Sequence, residues 1–199
     1  MRLQIIENGL SPLQKLQMAL IRKMMAGHVP GPIPALSYRA DFFGRQFNEL
    51  VQMALRKATE WHKSETELFA AFVSYNNTCQ FCYASHTAVT LNGTDPKTVQ
   101  AVFDNWRTAP VSEKARATLG FLEKLTRAPE SLSATDLIPM KEAGVTERGI
   151  EEAIYICFVF CTINRLANTF DFELANEKSL NRVGFALYNL GYGIGSLPG

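Results

Sequence analysis

Cys79-Gln80-Phe81-Cys82-Tyr83-Ala84-Ser85-His86 sets two cysteines three apart and a histidine four residues further on. At about 100° per residue, Cys79, Cys82 and His86 fall within an arc of roughly 60° on one helical face. Asn77 and Thr78 are good N-cap residues, so the cysteines are expected in the first turn, where free backbone N–H groups favour a thiolate. In a thioredoxin-like chain such a C-x-x-C pair follows a β-strand. Here Ser64-Glu65-Thr66-Glu67 has the form of a capping box opening a helix from about Glu65 to Tyr75. Helix then precedes helix, and a thioredoxin fold is disfavoured.

Working outward, helical periodicity continues on both sides. Phe42, Phe43, Phe47, Leu50, Val51, Ala54, Leu55 and Ala58 predict a helix from about Ala40 to Trp61. The reactive helix is expected to stop at Asn92-Gly93. Asp95-Pro96 starts another helix running through Trp106, and Ser112 caps the next. Ser133 to Gly144 is a shorter pattern that Pro139 should kink or split. Thr146 caps a long helix to about Thr169, whose middle, Ile154 to Ile163, is apolar nearly all round and is expected to be deeply buried. A last helix is expected from about Leu174 to Leu190, before a glycine-rich tail, Gly191-Tyr192-Gly193-Ile194-Gly195. At the other end, Ser11-Pro12 starts a helix whose apolar face reads as a core contact or, alternatively, an oligomer contact. His28 to Pro34, with alternating Pro30, Pro32 and Pro34, reads as an extended connector. No segment shows strand periodicity, and no G-x-G-x-x-G or internal repeat stands out. The prediction is all-α: an N-terminal helical arm and connector (1–37), a helical core (38–172), and a C-terminal helix and tail (173–199).

The 199 residues are 47% apolar with a net charge of +1, which fits a globular core and offers neither a basic stripe for nucleic acid nor an acidic tail. No run approaches 18 apolar residues, and the N-terminus is interrupted by charges, so neither a membrane partner nor a signal peptide is expected and the chain reads as cytoplasmic. Four cysteines in a reducing compartment do not suggest structural disulfides. Cys79 and Cys82 read as reactive or metal-binding. Cys157 and Cys161, in an apolar run, read as small core residues.

Each site residue has a plain structural reading beside the chemical one. His86 is one turn beyond Cys82 and can orient or deprotonate its thiol; a helix histidine can also simply bond a carbonyl. Glu67 either completes the capping box with Ser64 or, buried, accepts a hydrogen bond from His86. Zinc held by Cys79, Cys82 and His86 with Glu67 or His62 would crowd three ligands on one helical turn and is disfavoured.

The order Glu67, Cys79, Cys82, His86 forms E-x11-C-x2-C-x3-H, which resembles the alkylhydroperoxidase AhpD family of the carboxymuconolactone decarboxylase-like superfamily. The flanking Glu67 to Ser74, Ala143-Gly144-Val145-Thr146 and Thr162 to Asn168 are similar to that family over roughly residues 38–172. The resemblance implies an AhpD-like helical bundle and a thiol-dependent peroxidase without cofactor or metal. In it Cys82 would attack an alkyl hydroperoxide or H2O2, Cys79 would resolve the product, and His86 and Glu67 would relay the proton. It also implies a dithiol reductant, such as a lipoylated protein, and a homo-oligomer, trimer or hexamer. Well-characterised members carry histidine between the cysteines, where this chain has Phe81. A non-enzymatic dithiol sensor and a lactone decarboxylase are the rival readings; the decarboxylase branch lacks the C-x-x-C pair.

Overall fold

The computed structural model describes residues 2–193, leaving aside the side chains at 7, 42 and 43. It is all-α, with no strand among the described residues. Helices α1 (Gln4–Asn8), α2 (Pro12–Met24) and α3 (Pro32–Tyr38) form the N-terminal arm. A π-helical turn (Ala40–Gly44) leads into α4 (Arg45–Arg56). Then come α5 (Lys63–Asn76), α6 (Gln80–Thr90), α7 (Pro96–Asn105), α8 (Glu113–Arg127), the short α9 (Ile138–Glu142), α10 (Glu147–Phe170) and α11 (Glu177–Leu190).

Helix starts follow cap chemistry. Asp95, Ser112 and Thr146 each accept a backbone N–H from the first turn of α7, α8 and α10. Pro139 occupies the second position of α9, after a separate 3-10 turn at Ala134–Leu137, so that region is indeed split.

Four local expectations change. Pro32 and Pro34 lie in the first turn of α3, where the backbone needs no N–H donor, so this segment is helical rather than extended. The continuous helix expected from Ala40 to Trp61 is a π turn plus a helix ending at Arg56; Phe42 and Phe43, counted on its apolar face, lie outside the described side chains. The capping box of α5 is formed by His62 and Glu65, two residues earlier than Ser64 and Glu67, so Glu67 is inside the helix. The N-cap of α6 is Cys79, not Asn77 or Thr78; Asn77 ends α5, and Thr78 takes a left-handed φ of 53° to reverse the chain.

The core is built around α5 and α10. Residues Leu68 to Ser74 of α5 are all buried, and α5 packs on α4, α6, α8 and α10. The loop entering α5 is tied to α10 by Glu152, which accepts from the backbone N–H groups of Thr59 and Glu60, and by Trp61 Nε1 donating to the Gly149 carbonyl at 2.9 Å. Helix α10 is not buried all round: Ile154, Tyr155 and Phe158 are exposed, because only one side of it meets the other helices. By length and composition α10 would suffice to cross a membrane, yet its other face carries eleven buried residues within the bundle. In the arm, Met18 alone is buried on α2, while Leu13, Leu16, Leu20 and Met24 face outward, so the core-contact reading of that face does not hold.

Helix α11 lies along α6. Gly184 makes this possible: a Cβ there would fall 2.5 Å from the Ala88 carbonyl oxygen. The C-terminal segment is thereby delivered beside the reactive helix.

Candidate functional site

Helices α5 and α6 form a tight antiparallel hairpin. The turn between them is closed by the Cys79 N–H donating to the Ser74 carbonyl at 2.9 Å. Cys79 therefore sits at the N-cap of α6 and Cys82 in its first turn, and both are buried, at 1% and 3% exposure.

The neighbouring Cys82 thiol, and after it the backbone N–H groups of Cys82 and Phe81, favour the charged form of Cys79; together they outweigh burial and lower its pKa. The Cys82 thiol moves well upward: it keeps the shared proton and is desolvated. Of the two thiols, Cys79 is thus the one that gives up its proton more readily.

One turn further along α6, His86 Nδ1 is 2.7 Å from Glu67 Oε2. Glu67 is fully buried, and its carboxylate is met by three donors. Arg56 Nη2 lies 2.7 Å from Oε1, His86 occupies Oε2, and the Tyr192 hydroxyl donates to Oε1 at 2.9 Å and lies 3.2 Å from Oε2. A carboxylate only accepts, so Nδ1 carries a proton, and in the neutral ring Nε2 is the nitrogen with the lone pair. Nε2 has no hydrogen-bond partner among the described residues. The ring is held edge-on by Phe160 at 4.5 Å and stacked by Tyr192 at 6.0 Å. The phenol of Tyr192, desolvated and beside the Glu67 charge, is pushed well above its ordinary pKa and stays a donor.

All four residues singled out in the sequence, Cys79, Cys82, His86 and Glu67, thus lie on the α5–α6 hairpin, and two of them are hydrogen-bonded. The sequence reading missed Arg56 and Tyr192. Tyr192 reaches in because Gly191 adopts φ 72°, a left-handed turn at the end of α11 where any Cβ would meet Gln52 Oε1 at 2.8 Å. Gln52 Oε1 in turn accepts the Tyr192 N–H at 2.7 Å. An aromatic residue between two glycines was the available signal. Residues 194 and 195 of that tail lie outside the described residues.

Phe81 is buried and stacks edge-on against Phe172 at 5.4 Å, which gives it a packing role between the thiols. His62 caps α5 with its Nδ1 at Ser64, away from the thiols' helix. No three His, Cys, Asp or Glu side chains cluster as metal ligands among the described residues, and Glu67 has its oxygens already committed. Two surface clefts, of about 680 and 520 Å³, are lined by the N-terminal arm and the 173–186 region and contain none of these four residues.

No protein-family profile matches the chain, and no curated protein matches it in sequence. Solved structures do match in fold. A peroxidase-related protein from Silicibacter sp. TM1040 is 24% identical, with 85% of this chain and 90% of that one aligned at a TM-score of 0.72. The alkylhydroperoxidase AhpD core of a peroxidase-related protein from Ralstonia eutropha JMP134 is 24% identical, over 88% and 92% of the two chains, at 0.73. A debrominase is 16% identical, over 86% and 92%, at 0.69. The chain has the AhpD-like helical fold.

Proposed function

We propose that the protein is a thiol-dependent alkyl hydroperoxide reductase acting through Cys79 and Cys82, with His86 and Glu67 as its proton relay. The observation that carries this reading is the fully buried Glu67 carboxylate fixing His86 Nδ1 at 2.7 Å, on the helix that presents both thiols. A histidine oriented through Nδ1 has Nε2 free to accept a proton one turn from Cys82. A debrominase shares the fold, so the fold alone does not select the substrate.

In the proposed cycle Cys82, deprotonated by His86, attacks the terminal peroxide oxygen. The S–O bond forms, the O–O bond breaks, and the leaving alkoxide takes the proton from the imidazolium. Cys79 then attacks the sulfenic sulfur, releasing water and forming the disulfide. An external dithiol, for which a lipoylated protein is the candidate, reduces it by exchange. The apolar surroundings, Phe72, Phe81 and Phe160, favour an organic hydroperoxide over H2O2. The proposed setting is a cytoplasmic homo-oligomer.

The test is cumene hydroperoxide consumption with dihydrolipoamide, in wild type and in Cys79→Ser and Cys82→Ser. Turnover is expected to vanish in both, with a dimedone-trapped sulfenate in Cys79→Ser alone. The Cys79 pKa is lowered and that of Cys82 raised, which makes the order of attack the sharpest point: a sulfenate in Cys82→Ser instead would exchange the two roles. Wild-type disulfide formation without turnover would replace the enzyme with a sensor.

A further inference from the structure

A second pair of thiols lies outside this site. Cys157 and Cys161 are one turn apart on α10, with their Sγ atoms 3.7 Å from each other. Cys157 is buried at 3% exposure and Cys161 is half-buried. The outer sulfur is met by donors from two elements. Asn77 Nδ2, on the turn that leads into Cys79, lies 3.4 Å from Cys161 Sγ. Arg165, one turn on, places Nη1 2.7 Å from the Cys161 carbonyl oxygen and adds positive charge beside the thiol. The inner sulfur faces the Thr126 hydroxyl of α8 at 3.6 Å.

An inert core cysteine has apolar neighbours and no donors. Cys157 nearly fits that description, and Cys161 does not. We propose that Cys157 and Cys161 form a second redox-active thiol pair, in which Cys161 takes oxidation by a hydroperoxide and Cys157 resolves it. The Cys157 thiol, Asn77 and Arg165 together lower the Cys161 pKa to about 6, while Cys157 is pushed upward and keeps the shared proton.

The chemistry balances with the peroxide as oxidant. Cys161 thiolate attacks a peroxide oxygen, the S–O bond forms as O–O breaks, and the alcohol or water leaves with a proton from solvent. Cys157 sulfur then displaces water from the sulfenic acid, its own proton leaving with that water. Two electrons pass from the sulfurs to the peroxide. Helix residues four apart have Cα atoms about 6 Å apart, inside the span disulfides tolerate, but their Cβ atoms are wider than disulfides prefer. The resulting bond is strained and readily reduced. Among the described residues, no imidazole or carboxylate is bonded to this pair in the way Glu67 is to His86, so it suits stoichiometric response rather than turnover.

The experiment uses the full chain carrying Cys79→Ser and Cys82→Ser, so its failure is separate from failure of the peroxidase reading. Both remaining cysteines lie on one tryptic peptide, 149–165, bounded by Arg148 and Arg165. After one equivalent of H2O2 or cumene hydroperoxide, that peptide is expected to lose two hydrogens and both alkylatable thiols, and to regain them with a dithiol. Adding Cys157→Ala should leave a dimedone adduct at Cys161; adding Cys161→Ala should leave Cys157 unoxidised. In the untreated protein, iodoacetamide should label Cys161 with a rate midpoint at pH about 6. Thiols that stay alkylatable after peroxide, oxidation that begins at Cys157, or disulfides only between chains would each overturn the proposal.

Discussion

The two cysteine pairs of this chain use the same side chain in opposite ways. Cys79 and Cys82 open a helix, where the Cys82 thiol and then the backbone N–H groups of the first turn lower the Cys79 pKa. Cys157 and Cys161 sit in mid-helix, where the backbone donors are already spent, so Cys161 must draw on the Asn77 amide and the Arg165 charge instead. The first pair is sealed from solvent on the helix that carries the Glu67–His86 hydrogen bond; the second is open on one side and has no such imidazole–carboxylate pair among the described residues. Burial alone therefore does not sort thiols into reactive and inert. The donors around the sulfur, and whether a base stands nearby, do.

The largest expected difference is in turnover. Cys82→Ser should abolish dithiol-dependent peroxide reduction, whereas Cys161→Ser should leave its kcat within experimental scatter; comparable losses in both would merge the two pairs into one system.

Next in size is the relay itself. Glu67→Gln leaves the Arg56 guanidinium buried without its counter-charge, which should lower stability by about 3–5 kcal/mol. That corresponds to a Tm drop on the order of 10 °C for a chain of this length. Calorimetry of Glu67→Gln against Asn77→Ala, expected to move Tm far less, sharpens the contrast between a relay built into the core and a donor at its edge.

The pH response separates the pairs further. The pKa of Cys161 is depressed when folded, so the stability it contributes is present above the ordinary thiol value and is lost as pH falls through about 6. Thermal scans from pH 8 to 5 should show this decline in wild type and a weaker one in Cys161→Ala. Equal slopes would remove the thiolate from Cys161.

The smallest effect belongs to Tyr192. Tyr192→Phe removes one hydrogen bond to Glu67 and keeps the ring, so peroxide kcat/KM should fall about fivefold, the equivalent of about 1 kcal/mol. A positioning role predicts that KM for the reductant is unchanged and that the pH–rate profile shifts; an unchanged profile would make the tyrosine a packing residue only.

Much of the fold was legible because it is written in local chemistry. Asp95, Ser112 and Thr146 cap the helices that their side chains announce. Where two local signals compete, the reading slips. Pro32 and Pro34 suit a first helical turn as well as an extended chain, and His62 outcompetes Ser64 as the cap of α5. That two-residue shift matters, since it frees Glu67 from the helix end and turns its side chain toward His86. Exposure of Ile154, Tyr155 and Phe158 could not be read from composition, because an apolar run does not say how many neighbours the fold supplies. Of the site, Cys79, Cys82, His86 and Glu67 share a short motif and were visible. Arg56 and Tyr192 were not: their partner Glu67 is 11 residues away in one case and 125 in the other, and only tertiary packing brings them together.

Removing Cys157 and Cys161 isolates the first pair. The Cys157→Ser/Cys161→Ser double variant, reduced and mixed with cumene hydroperoxide and dihydrolipoamide, should consume peroxide at the wild-type rate and lose two thiols per peroxide when the reductant is left out. Loss of turnover with the second pair removed, or an unreactive Cys79 and Cys82, would contradict the account.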